Sequence, residues 1–255
     1  MNTLAEEFRC AVLYPEQSTH SNALRCWNWF ESKSLAGQGE AELIAHLIIQ
    51  VTRRRPIDAR RVYIAGMSAG GAMACLLAVR HSQLFAACAI HSGVMYGAAS
   101  SPAQALAAMR DGPSAIAIER ARQLVAGAGD FAVTVPTLVI HGDRDPTVNP
   151  VNAEHIVAQL RARIEEVISP GAGSLSPGGE RLVESGGRTY RQQDMTRQGQ
   201  VVLRQIMVGG LGHAWSGGDA AYDFNDANGP DASRLILDFV MAYERSDAPI
   251  AGKSP

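Results

Sequence analysis

The chain has 255 residues, 46% of them hydrophobic, and its 23 Lys and Arg against 25 Asp and Glu give a formal net charge of −2. That length can bury a full core and suits one α/β domain, and the apolar content excludes a disordered chain. A charge so close to neutral removes any electrostatic case for a nucleic-acid partner.

No run of about 18 consecutive apolar residues occurs, so no membrane-spanning helix is expected. The start, Met1-Asn2-Thr3-Leu4-Ala5-Glu6-Glu7, is acidic and helical in character rather than a signal peptide. Cys10, Cys26, Cys75 and Cys88 have no C-x-x-C spacing, which argues against a zinc site. Cys75 and Cys88 lie in apolar patterns and read as small core residues.

Cys10-Ala11-Val12-Leu13-Tyr14 reads as a buried strand ended by Pro15. A loop with the aromatic cluster Cys26-Trp27-Asn28-Trp29-Phe30 follows. Residues 38–55 carry helical periodicity through Leu43, Ile44, Leu47, Ile48 and Val51, and Pro56 bars continuation. Arg53-Arg54-Arg55 and Arg60-Arg61 form the basic cluster of the chain; as cations at a helix end they complement the dipole and read as solvated.

Arg61 to Ala65 is a β-branched run leading into Gly66-Met67-Ser68-Ala69-Gly70-Gly71, and the helix-forming stretch Ala72 to Val79 comes next. Phe85 to Ile90 is a further short apolar run, closed by His91-Ser92-Gly93. Residues 101–126 are Ala-rich and helical, broken at Gly112-Pro113. Thr137 to Ile140 reads as a strand ending at His141-Gly142-Asp143-Arg144-Asp145-Pro146, and a helix is predicted from Val151 to Val167.

The Gly-, Ser- and Pro-rich stretch from Pro170 to Gly187 reads as a long loop. Arg188 to Met195 and Val201 to Val208 then read as strands, with Gly210-Leu211-Gly212-His213 directly after them. The last helix starts near Gly229-Pro230-Asp231 and buries Leu235, Ile236, Phe239 and Val240. Strands alternating with helices predict an α/β fold, a mostly parallel sheet with helices on both faces. One domain over 1–248 and a tail over 249–255 are expected.

Strand, G-x-S-x-G turn and helix together form the context of a nucleophile elbow. Small residues are needed where strand and helix approach closely, and Gly66 and Gly70 fill that role, with Gly71 giving further room. The turn aims the Ala69 N–H and the helix N-terminus at developing negative charge. A dinucleotide fingerprint would place glycine where Ser68 stands, and a phosphate loop would need a lysine.

Serine needs a base, and the base needs a third group that fixes its tautomer. The α/β-hydrolase order Ser, Asp, His is met by Ser68, Asp145 and His213. Asp143 competes for the acid; Asp145 is favoured because Asp-Pro-Thr-Val turns its carboxylate toward the histidine loop, leaving Asp143 to structure the turn. His20 and His46 precede the elbow, and His81 and His155 fall in helical patterns. His91 and His141 end strands and are candidates to line the pocket.

Three blocks around Ser68, His141–Asp145 and Gly212-His213-Ala214-Trp215-Ser216-Gly217-Gly218 resemble those of the polyhydroxybutyrate-depolymerase-type esterases, related to feruloyl and acetylxylan esterases. Tyr14-Pro15-Glu16-Gln17 and Arg25 to Phe30 resemble two more, in family order. The resemblance implies an α/β-hydrolase fold with Ser68 as nucleophile, Asp145 as acid and His213 as base. It places Trp27 and Trp215 near the acyl-binding cleft, with His91 a candidate beside them.

Family members also carry an upstream strand ending in His-Gly-Cys, which gives the second oxyanion donor and a cysteine to pair with the equivalent of Cys26. This sequence starts after that strand. It is therefore expected to be a fragment or a divergent form, impaired relative to a longer parent. The resemblance implies secretion to an extracellular or periplasmic site.

The expected function is hydrolysis of short-chain or hydroxyalkanoate esters through an acyl-enzyme, with no cofactor or metal. Small or oligomeric ester substrates are the expected partners, with neither nucleic acid nor membrane; oligomeric state is not readable. Alternatives are feruloyl or acetylxylan ester hydrolysis, and a non-catalytic hydrolase-fold protein.

Overall fold

A computed structural model describes residues 1–126, 134–167 and 174–246. The described elements run α1 (Asn2–Glu7), α2 (Ser32–Leu35), α3 (Glu40–Arg54), β1 (Tyr63–Met67), α4 (Ala69–Arg80), β2 (Ala87–His91), α5 (Pro102–Asp111), α6 (Ala115–Ala126), β3 (Thr137–Gly142) and α7 (Val151–Val167). Then follow β4 (Ser176–Ser185), β5 (Arg188–Arg197), β6 (Gln200–Val208), the two-residue strands β7 (Trp215–Ser216) and β8 (Asn225–Asp226), and α8 (Ala232–Val240).

The main sheet has the order β1-β2-β3-β6-β5-β4. Strands β1, β2, β3 and β6 are parallel, and β5 and β4 add to them as an antiparallel hairpin. This is the mostly parallel α/β-hydrolase sheet. Alternation along the strands splits the core. Cys88, Ile90 and Val139 face Met73, Leu76 and Leu77 of α4 and Ile156 of α7, while Ala89, Leu138, Ile140 and Ile206 face Ile236, Phe239 and Val240 of α8. Helices thus cover both faces.

Register brings the C-terminal strand ends level. Met67 pairs with His91, His91 with Ile140, Ile140 with Ile206, and Gly142 with Val208. Backbone bonds continue past those ends: Ser68 N donates to His91 O at 3.0 Å, Ser92 N to Ile140 O at 2.9 Å, and Asp143 N to Val208 O at 3.1 Å. Each loop that leaves this edge is therefore anchored to its neighbour.

Two expectations are corrected. Cys10–Tyr14 forms no strand, and Val12, Leu13 and Tyr14 are 37%, 40% and 61% exposed. Its apolar composition is local, whereas a ladder needs an adjacent partner edge. The partner it would need is not adjacent: β1 is the outer strand, and a cavity of about 1050 Å³ separates its free edge from residues 10–15.

The stretch read as loop contains β4. Its ladder with β5 is irregular between Pro177 and Glu180, and its outer position exposes most of its residues. An edge strand tolerates proline, glycine and an irregular ladder that would break a central one, so its composition hides it. Residues 168–173 lie outside the described residues.

Candidate active site

Ser68 sits between β1 and α4 with φ 55° and ψ −121°, a backbone conformation that L side chains rarely adopt. Crossing from strand to helix in one residue forces Gly66 onto α4: a Cβ there would lie 2.2 Å from Gly70 O. A Cβ on Gly71 would meet His91 O at 3.0 Å and Gly66 O at 3.1 Å. Gly70 is different from expectation, because a Cβ on it would meet nothing within 4 Å. The crowding falls on Gly66 and Gly71. The Ala69 N–H belongs to the first turn of α4, whose amides have no acceptor inside the helix.

Asp145 follows β3 and is 5% exposed. Its Oδ1 accepts from Thr147 N at 2.9 Å and Val148 N at 2.8 Å, while Oδ2 accepts from His213 Nδ1 at 2.8 Å. Burial alone would raise its pKa; the hydrogen bonds from His213 and the Val148 and Thr147 amides outweigh that and hold it below the ordinary carboxylate value. Asp143 turns elsewhere, accepting from Gly210 N at 2.7 Å, and so ties the end of β3 to the loop that carries His213.

The structure therefore brings Asp145 and His213 into contact and sets Ser68 at the same sheet edge. Ser68 and His213 share no hydrogen bond in this state. Without substrate such contacts are often long and tighten only in the complex, so the geometry does not dismiss the pair.

Trp27 and Trp215 both line the cavity beside β1. Trp215 stacks on His91 with ring centroids 5.2 Å apart and 17° between planes. His91 itself is 0% exposed, and its Nδ1 lies 3.1 Å from Ser92 Oγ. A fully enclosed ring has no surface to offer a ligand, so His91 is corrected from a pocket-lining residue to a buried support for Trp215. Burial pushes its pKa down to about 3. His141 is also fully buried, with Nε2 2.9 Å from Val148 O and 3.6 Å from Asp145 Oδ2. It lies under the acid turn rather than in the cleft.

One neighbour of His213 went unnoticed in the sequence. Phe224 is 69% exposed, and its ring is perpendicular to that of His213, with centroids 6.2 Å apart at 80°. No motif flags an aromatic in a polar loop.

No group of His, Cys, Asp and Glu among the described residues could hold a metal ion. The four cysteines are free thiols in this structure. No helix among the described residues is long and apolar enough to cross a membrane.

The family model described as esterase PHB depolymerase matches residues 1–181. The chain belongs to that family. It is 31% identical over 161 residues to the poly(3-hydroxyalkanoate) depolymerase C of Paucimonas lemoignei, a match covering 62% of this chain and 39% of that protein. Against the poly(3-hydroxybutyrate) depolymerase of Ralstonia pickettii it is 25% identical, across 94% of this chain and 47% of the relative. The chain thus spans less than half the length of either protein. Among solved structures, the acetyl xylan esterase of Aspergillus awamori superposes with a TM-score of 0.64, covering 94% of this chain and 80% of that one. At 17% identity this last likeness shows the fold alone.

Two outcomes test this geometry. Gly66→Ala is expected to cost about 3 kcal/mol or more in urea unfolding, because backbone must move, whereas Gly70→Ala is neutral or slightly stabilising in its helix. Equal losses from the two would contradict the crowding described. The second concerns acid. An unfolded His91 protonates below the ordinary histidine value of 6.5 while the folded ring stays neutral to about 3, so the unfolded state binds more protons in that window. Stability contributed by His91 is therefore lost as pH falls from 6.5 toward 3. His81 and His141, depressed by burial too, act in the same direction. Thermal melts of His91→Gln should fall less steeply across this range than those of the parent, and identical slopes would refute it.

Proposed function

We propose that this chain is a serine carboxylic-ester hydrolase that cleaves short-chain or hydroxyalkanoate esters. The observation that carries the reading is the 2.8 Å bond from His213 Nδ1 to a buried Asp145 at the same sheet edge as the strained Ser68. Family membership and the depolymerase relatives support the choice of ester chemistry.

In this reading the Asp145 carboxylate fixes the His213 tautomer with the proton on Nδ1, leaving Nε2 free as base. Ser68 Oγ attacks the ester carbonyl as Nε2 takes its proton. Negative charge on the carbonyl oxygen is met by the Ala69 N–H at the head of α4. Collapse of the tetrahedral intermediate breaks the bond to the alcohol oxygen, which leaves with the proton from His213. Water then adds to the acyl-serine, again giving its proton to His213, and the acid departs as Ser68 is restored. Every proton transfer uses a side chain of the triad, so the cycle needs neither metal nor cofactor.

Trp27 and Trp215, which line the cavity, are proposed to bound the acyl side. An extracellular or periplasmic place of action belongs to the same proposal. Similarity to acetylxylan esterases favours one competing substrate, the acetyl ester of a sugar polymer.

Steady-state hydrolysis of methyl 3-hydroxybutyrate and p-nitrophenyl butyrate tests the assignment. Ser68→Ala is expected to lower kcat about 10⁶-fold and Asp145→Asn about 10⁴-fold, with the fold intact. Parent-like turnover by Ser68→Ala would overturn it. Higher kcat/KM on acetylated xylan than on hydroxybutyrate oligomers would move the substrate to the sugar ester while leaving the chemistry in place.

A further inference from the structure

Phe224 combines three properties that rarely coincide. Its φ of 58° is left-handed, which a bulky aromatic disfavours by about 1–3 kcal/mol. The ring is 69% exposed, although an aromatic gains most by burial. It stands perpendicular to the imidazole of His213, with ring centroids 6.2 Å apart.

The surrounding bonds show what the strain maintains. Trp215 N donates to Phe224 O at 2.7 Å, and Gly218 N donates to Asp226 O at 3.0 Å. Strand β8 is pinned in turn by the ion pair from Arg188 Nη2 to Asp226 Oδ2 at 2.6 Å. The carbonyl of Phe224 is thus committed to Trp215, and with the left-handed backbone the ring lies beside His213 at the same time. Tyr222, two residues earlier in the same loop, is equally exposed at 69%.

The chemistry of ester cleavage says which part of a substrate would lie there. A histidine that returns its proton to the leaving alcohol must stand within hydrogen-bond reach of that oxygen. Whatever the oxygen carries continues past the imidazole, on the side away from the acyl group. Phe224 is an exposed apolar ring beside that imidazole.

We propose that Phe224 forms the alcohol-side subsite, selecting esters whose alcohol portion presents an apolar face to its ring. This rests on the hydrolase reading above and adds the substrate preference of its leaving-group side.

The test uses the full chain with acetate esters that share an acyl group and differ in the alcohol: methyl, butyl and benzyl acetate. Phe224→Asn removes the ring and tolerates the left-handed backbone, so it should fold at least as well as the parent by thermal melting. Its ratio of kcat/KM for benzyl over methyl acetate should fall about fivefold. Phe224→Trp should keep that ratio. The ratio between methyl butanoate and methyl acetate, which reports the acyl side, should hold in both variants.

An unchanged benzyl-to-methyl ratio in a folded, active Phe224→Asn overturns the subsite and leaves the hydrolase reading standing. A shift in the acyl ratio of the same size also overturns it, since the ring would then act on the whole site. No turnover of any ester by the parent chain would remove the hydrolase reading, and this subsite with it.

Discussion

The site depends on one backbone constraint, the left-handed conformation of Ser68 at the junction of β1 and α4. Holding it costs about 1–3 kcal/mol, and the packing around it leaves little alternative. Gly66 touches the backbone of Gly70, Gly71 is wedged against His91 O, and Ser68 N is bonded to that same carbonyl. Strand, helix and neighbouring strand thus fix one residue from three sides. The residue sits at the same sheet edge as the loops that follow β3 and β6.

Those loops are held by a different force. Asp145 is almost wholly buried, an arrangement that would normally favour its neutral form. Two turn amides and His213 supply three hydrogen bonds, which is enough to keep it ionised. The ionised carboxylate fixes the orientation of His213, and Asp143 fastens the loop from the other side through Gly210 N. Beneath them, burial disfavours the charged forms of His91 and His141. A cationic ring at either place would compete with His213 for the carboxylate.

Much of this was legible in the sequence. The parallel strands ending at Met67, His91 and Gly142, the helix over residues 40–54 and the strand-turn-helix at Ser68 all follow from local periodicity and turn chemistry. The choice of Asp145 over Asp143 as the partner of His213 followed from turn direction. What escaped depends on neighbours distant in sequence. Cys10–Tyr14 has a strand's composition but no adjacent edge, and β4 has a loop's composition but an edge position that tolerates it. His91 stacks on Trp215, and the Phe224 carbonyl accepts from Trp215 N, contacts no local pattern encodes.

The central claim is that Ser68 is an activated nucleophile. Reaction of the purified 255-residue chain with a fluorophosphonate probe, with the modified residue mapped by mass spectrometry, tests it most directly. The account predicts stoichiometric modification of Ser68 that is lost in His213→Ala. A folded protein that stays unlabelled, or carries its label on another residue, would contradict it.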